Sequence, residues 1–464
     1  MKKKIIYIII ESVKRELNSK TLLALKALKK NYRVLIGQKG ALREVIKDTN
    51  PGIMILKSFG PKNTKHIDFI KKKKFKVVST DEELITAIDL EDKIEYRMNN
   101  ENLTKLDILL AVGEQSDLPI YKRKFGKNIK NILVCGNMRL ELLKKNYINL
   151  LDKDSAYIKS KFGNYILLLT GFGRINKNHP NYRIDWVFER IVEQNLDPES
   201  YSIYLANDAV KMQRETLIQT IKFLNNFEKN FPNKTLVISP HPVEKIDFWK
   251  KYLKDKNFKN IFINTDIHSS SHALINSCDM LISNNSTTIL EGYFCEKKII
   301  NLLGKKERIS EIELLKKISK VVRSADELTE AIKDIEKNKY EKVEKKELKE
   351  IKNLDDNFDS FEHILNALDN LDDVKNYDSL FQNFYSIIVS KLRLIKNYIK
   401  KFISYKLNLN PMIKRFNKEK IGDRMKKKNF IKNLEHINKF EGVENLRIKQ
   451  IAPEVFLLDS SNKY

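Results

Sequence analysis

Thr235-Leu236-Val237-Ile238-Ser239-Pro240-His241-Pro242 and Met280-Leu281-Ile282-Ser283-Asn284-Asn285-Ser286-Thr287-Thr288 decide how this chain is read. In each, a short apolar run stops at polar residues, the pattern of a buried parallel strand meeting its loop. Ile289-Leu290-Glu291-Gly292-Tyr293-Phe294 continues the second stretch as a helix that opens on hydroxyl residues. A helix beginning at the end of a parallel strand aims its N–H groups and positive dipole end into the crevice where α/β proteins bind ligands. Ser286, Thr287 and Thr288 add hydroxyls there. His241 adds an imidazole whose backbone is fixed by the prolines on either side. Together the two stretches read as a place for a phosphate.

Outward from this pair the same rhythm repeats. Ile5–Ile10, Tyr32–Ile36, Ile53–Leu56, Phe75–Val78, Ile108–Val112 and Ile132–Val134 read as strands, and Leu17–Lys29 as the helix after the first. A second series follows: Tyr165–Leu169, Tyr201–Tyr204, Thr235–Ile238, Ile261–Ile263, Met280–Ile282, Lys298–Leu302 and Lys320–Val322. The fold class expected is α/β, with two tandem doubly wound Rossmann-like domains over residues 1–150 and 164–337. The polar stretch Asn149–Asn164 reads as an irregular linker. Residues 338–464 read as a helical basic extension whose apolar end, Ile448–Ile451 and Val455–Leu458, docks back on the body. At 464 residues the chain is too long for one ordinary core, which agrees with this division.

Three cysteines, Cys135, Cys278 and Cys295, have neither metal-type spacing nor the number for a disulfide framework, so a reducing, cytoplasmic setting is expected. Met1-Lys2-Lys3-Lys4 before Ile5–Ile10 imitates a signal peptide, but the run stops at Glu11 without a small-residue cleavage site. The net charge of +26 invites nucleic acid as a partner, yet no zinc-finger, RNA-recognition or helix-turn-helix pattern is present. The charge concentrates between Lys391 and Lys428, where 14 Lys and Arg face only Glu419 and Asp423. Phe384, Ile388, Leu392, Ile395, Ile399, Phe402 and Tyr405 recur there at helical spacing. Such a helix suits an anionic membrane surface, or else packs its apolar stripe on the body.

Several residues carry two readings. Thr288 and Glu291 have the spacing of a capping box, while Glu291 is also placed to bond ribose hydroxyls. Gly171 and Gly173 form a GxG without the third glycine of a dinucleotide fingerprint, so their expected role is close backbone approach to a ligand. Thr80-Asp81-Glu82-Glu83 is an ordinary helix start with acids favoured by the dipole. His179, His268 and His272 read as structural or solvated.

The chain resembles the bacterial surface-carbohydrate biosynthesis proteins, a family with the two-domain GT-B glycosyltransferase architecture. The segments that carry the resemblance are Glu11–Lys20, Gly136–Leu143, Thr170–Asn176, Ser239–Pro242 and Asn285–Gly292. The His-Pro and Ser/Thr pair also resembles bacterial sialyltransferases and Kdo transferases, which use CMP-activated 2-keto sugar acids. The resemblance implies a metal-independent glycosyltransferase that needs no cofactor beyond its nucleotide-sugar co-substrate. The donor's phosphate would rest on Gly171, Gly173, His241, Pro242, Ser286, Thr287, Thr288 and Glu291. One of Asp81, Glu82 and Glu83 would act as the base, with His241 stabilising the leaving phosphate. The acceptor would be a glycan or lipid-linked glycan, met at the inner face of the membrane. Two alternatives stay open: a CDP-alditol phosphotransferase of similar fold, and a basic module that binds nucleic acid or membrane without catalysis.

Overall fold

The computed structural model describes residues 2–80, 100–126, 131–176, 201–241, 244–265, 270–308, 310–345, 348, 350–381, scattered positions between 388 and 403, and 425–460. They form two compact units. One comprises the described residues of Met1–Glu82, Met98–Leu142 and Glu350–Tyr464, the other those of Leu143–Lys349. Each is an α/β unit built on a doubly wound, Rossmann-like sheet.

In the first unit, β1 (Ile5–Ile10), β2 (Arg33–Gln38), β3 (Ile53–Leu56), β4 (Lys76–Thr80), β5 (Ile108–Ala111) and β6 (Ile132–Val134) are parallel, in the order β2-β1-β3-β4-β5-β6. Every residue of β1 is buried. An unbroken apolar run suits a strand covered on both faces. Helix α1 (Val13–Lys29) follows β1, α2 (Lys39–Val45) follows β2, and α3 (Thr64–Lys72) lies between β3 and β4.

The second unit holds β7 (Tyr165–Leu169), β8 (Thr235–Ser239), β9 (Ile261–Ile263), β10 (Met280–Ser283), β11 (Lys298–Leu302) and β12 (Lys320–Val322), all parallel, in the order β12-β11-β10-β7-β8-β9. Its core gathers Ile166, Leu168, Phe223, Phe227, Trp249 and Ile282.

Two expectations are corrected here. Tyr201–Tyr204 is not a strand but the first turn of α4 (Tyr201–Asn230). Met212, Thr216, Thr220, Phe223 and Phe227 are buried at spacings of three and four, so the helical period appears only beyond the four-residue window that looked β-like. Nor is Asn149–Asn164 irregular, because Asp152–Phe162 is a helix. Its Asp152 and Asp154 lie in the first turn, Lys159 and Lys161 in the last, and Gly163 ends it at φ +66°. The polar residues that suggested a linker match the helix dipole.

After residue 350 the chain returns to the first unit. Asn353 ties it there: its amide nitrogen donates to the Asn137 carbonyl (3.1 Å) and the Glu141 carboxylate (2.6 Å), while its oxygen accepts from the Asn137 N–H (2.6 Å). The helix α5 (Lys427–Glu441) lies along α1. The chain then closes with an antiparallel hairpin, β13 (Leu446–Ala452) and β14 (Val455–Ser460), in which β14 pairs with the free edge of β2. Gly37 faces Val455 across this pairing, where an added Cβ would come within 2.9 Å of Val455 Cγ2. Lys3 and Arg33 both reach Asp459, at 2.7 and 3.0 Å.

Phe456 of β14 is fully buried and stacks on Phe430, with centroids 4.2 Å apart. Phe456→Ala is therefore expected to destabilise the first unit by about 3–5 kcal/mol. Chemical denaturation followed by circular dichroism checks this, and a loss below about 1 kcal/mol would mean that the hairpin adds little to the core.

Candidate functional site

The second unit's sheet reverses its winding between β7 and β10, the position at which open α/β sheets bind ligands. Register places the strand ends in one row: Asn301 beside Ser283, Ser283 beside Leu169, and Leu169 beside Ser239. The loops that leave this row carry the residues singled out from the sequence.

One buried carboxylate organises two of those loops. Glu244, 3% exposed, accepts from the Thr170 hydroxyl (2.7 Å), the Phe172 N–H (2.9 Å) and the His241 N–H (3.3 Å) through Oε1. Its Oε2 accepts from the Trp249 indole (3.0 Å) and the Asn176 amide (3.4 Å). A carboxylate this deeply buried is tolerable only with such a set of donors. The β7 loop and the β8 loop are thereby fixed to each other, and the Glu244 N–H donates back to the His241 carbonyl at 2.8 Å. His241 itself is exposed at the end of β8.

The β10 loop is held by asparagines. The Asn285 N–H donates to Asn301 Oδ1 (2.9 Å), its amide nitrogen donates to the Ser310 carbonyl (2.8 Å), and its Oδ1 accepts from the Ile312 N–H (3.1 Å). Asn285 adopts φ +48°, a left-handed conformation that asparagine tolerates better than most residues. Gly171 of the β7 loop abuts this segment: a Cβ there would lie 3.4 Å from the Asn284 carbonyl oxygen. Gly173, two residues on, is buried.

Ser286, Thr287 and Thr288 are half-buried at the start of the helix Thr288–Phe294. Thr288 shares a hydroxyl contact with Ser283 at 3.0 Å, and the Ser286 hydroxyl accepts from the Thr288 N–H at 3.4 Å. The expected capping box is not formed. Thr287 is the N-cap residue and its side chain makes no cap hydrogen bond. Glu291, 3% exposed, turns to His272, whose Nε2 lies 3.6 Å from its Oε1. Gly292 lets the helix sit close on the sheet, since a Cβ there would come within 2.5 Å of Leu281 Cδ2.

The structure therefore brings Gly171, His241, Ser286, Thr287 and Thr288 to one edge of one sheet. Asp81, Glu82, Glu83 and Pro242 lie outside the described residues, as do His179 and His268. The sequence reading missed Glu244, Asn285 and Asn301 as the supports of the site. An acid three residues after a His-Pro pair, in a segment otherwise leading to a buried tryptophan, was the available signal for Glu244. The cysteines are buried, and burial pushes the Cys278 thiol up to about 12, which leaves it poorly suited to nucleophilic work. Among the described residues no three His, Cys, Asp or Glu side chains gather as a metal site.

No protein-family model matches the chain, and no curated protein sequence does. Solved structures similar to it include the UDP-GlcNAc 2-epimerase of Methanocaldococcus jannaschii in complex with UDP-GlcNAc and UDP, 14% identical over 79% of this chain and 99% of that one, with a TM-score of 0.49. Anabaena Alr3699/HepE in complex with UDP and glucose is 10% identical over 79% and 100%, with a TM-score of 0.42. The wall teichoic acid polymerase TagF is 13% identical over 79% and 87%, with a TM-score of 0.44.

Glu244→Ala would leave the buried Trp249 indole and the Thr170 and Phe172 donors without their acceptor. Each such donor costs about 1–3 kcal/mol, so a loss of at least that size is expected in thermal or chemical unfolding. A variant as stable as the parent would show that water replaces the carboxylate.

Proposed function

We propose that this protein is a glycosyltransferase of surface-polysaccharide biosynthesis, moving a sugar from a nucleotide-activated, CMP-linked donor to a glycan acceptor. One observation carries the reading: an exposed imidazole, a hydroxyl cluster and a close-approach glycine share the switch-point edge of the second unit, each on a loop that buried side chains hold fixed. A single leaving phosphate needs a few convergent N–H and O–H donors as charge builds on it, and preorganised donors stabilise that charge most effectively. His241 is the group assigned to the leaving phosphate, and Ser286, Thr287 and Thr288 are its hydroxyl partners. The acidic segment Asp81-Glu82-Glu83 is assigned the acceptor's proton, on the strength of the sequence resemblance.

A ligand that binds only the folded protein raises its melting temperature. A panel of CMP, CDP, UDP and GDP is expected to show the largest rise with CMP. In a glycosyl-transfer assay, His241→Ala should fall about 100-fold or more in turnover while keeping its fold. Full activity in a folded His241→Ala protein would remove the assignment. A product joined through a new phosphodiester would instead mark a CDP-alditol phosphotransferase.

A second observation favours work at a membrane surface. No helix among the described residues is long and apolar enough to cross a membrane. Yet Ile388, Leu392, Ile395, Ile399 and Ile403, all in helical conformation, are 42%, 61%, 56%, 49% and 46% exposed. Their spacings of three and four are those of one helical face, and all but Ile388 fall within the most basic part of the chain. Each Lys or Arg near an anionic leaflet contributes about 1 kcal/mol, so this segment is expected to hold the protein there reversibly. The chain beyond it completes the first unit's sheet, so substitution is a cleaner test than truncation. The protein should float with anionic vesicles at low salt and leave them at high salt. The triple variant Leu392→Ser, Ile395→Ser, Ile399→Ser should lose flotation, and a parent protein that ignores the vesicles would end this assignment.

A further inference from the structure

The first unit has its own winding reversal, between β1 and β3, and a cluster of charged side chains collects beside it. Glu11 follows β1, Glu16 lies in α1, Lys39 and Arg43 stand four apart on α2, Lys57 follows β3, and His66 lies on α3. Lys57 Nζ lies 3.0 Å from Glu16 and 3.4 Å from Glu11, and Lys39 Nζ lies 3.3 Å from Glu11. Glu16, 1% exposed, is otherwise occupied in accepting the N–H groups of Glu11 (2.8 Å) and Ser12 (3.3 Å). It is a structural anchor for the β1 loop.

Arg43 is different. Its one hydrogen bond goes to a neutral group, from Nη2 to the Asn63 amide oxygen at 2.7 Å, and its buried Nε has no partner. Nε2 of His66 is likewise buried without a partner. Burial, then the charges of Arg43 and Lys39, hold the His66 imidazole down to about 3, so it is neutral at physiological pH. Burial also lowers the Arg43 guanidinium and the Lys39 amine from their ordinary values, against the opposing pull of Glu11. Lys39 and Lys57 pair directly with the carboxylates, whereas Arg43, half-buried and reached by Glu11 only through its field, makes no ion pair among the described residues. Desolvating a cation without a counter-charge in direct contact is costly, and a bound anion is the usual compensation. Guanidinium matches the planar oxygen pair of a carboxylate or phosphate better than a lysine does.

We propose that this corner of the first unit binds an oxyanion, a carboxylate or phosphate group, through Arg43, Lys39 and the ring of His66. The anion is assigned to the acceptor, an acidic or phosphorylated glycan; this assignment rests on the glycosyltransferase reading, whereas the oxyanion site does not.

An anion beside His66 stabilises the protonated ring, so binding should raise the pH at which this histidine titrates. The experiment follows the imidazole signals of the full-length protein by NMR below neutral pH, identifying His66 by the signal lost in His66→Gln. Inorganic phosphate and methyl glucuronide are titrated separately. At least one is expected to shift the His66 signal saturably, and the stronger of the two tells phosphate from carboxylate. Arg43→Gln should weaken that anion about 10-fold or more, the scale of one charge-assisted hydrogen bond. His241→Ala should leave the His66 response unchanged, which separates this corner from the second unit. If neither anion moves the His66 signal of the unsubstituted protein, the site is refuted whatever the variants do. A shift without any nucleotide binding elsewhere would keep the oxyanion site and overturn its assignment to an acceptor.

Discussion

The Glu244 carboxylate is the constraint on which the second unit's functional edge depends. Loops at the ends of parallel strands are normally the most variable part of an α/β sheet. Here one buried anion draws the loop after β7 and the loop after β8 onto the same pair of oxygens, with the Trp249 indole closing the far side. The imidazole of His241 can stand exposed because its own backbone is held at both N–H and carbonyl. Asn285 does for the β10 loop what Glu244 does for its neighbours: its side chain bonds the backbone of Ser310 and Ile312, and its own N–H donates to the Asn301 side chain. Fixed donors need no rearrangement as a charge develops, and that is the property a phosphate site requires.

The two units solve the same problem with different chemistry at their winding reversals. In the second, a carboxylate surrounded by neutral donors sets the loops, and the groups left facing outward are hydroxyls and an imidazole. In the first, carboxylates are neutralised by lysines and the residual group is a guanidinium. Two edges of similar topology thus present groups of different character.

Much of the architecture was legible because burial on both faces writes an unbroken apolar run. Ile5–Ile10, Ile53–Leu56, Tyr165–Leu169 and Lys298–Leu302 are strands over the range that their composition suggests. Short windows failed where the period was longer than the window, as at Tyr201, or where charge served the helix dipole, as at Asp152. The apolar character of Val455–Leu458 was visible, but its partner was not, because pairing with β2 is a contact between opposite ends of the chain. The loops of the candidate site were legible through proline, glycine and hydroxyl residues. Their supports were marked only faintly: an acid shortly after the His-Pro pair does not say that Glu244 accepts from Trp249 and Thr170, and nothing local marks Asn285 as a bridge to Ser310. Polar residues that act by reaching across the fold leave no period in the sequence.

The pairing of β14 with β2 has a consequence for how the molecule is made. The described residues of the second unit all lie within Leu143–Lys349, between two parts of the first, and its strands can pair once β12, which ends at Val322, has left the ribosome. The first unit cannot finish so early. Its β2 edge stays open until residues 455–458 have been synthesised, some four hundred positions later. Domains tend to fold in the order of their emergence, and an unpaired strand edge is an invitation to wrong partners. During synthesis the strands of the second unit can therefore pair first, while the first unit waits with an exposed β2 edge for β14 to close.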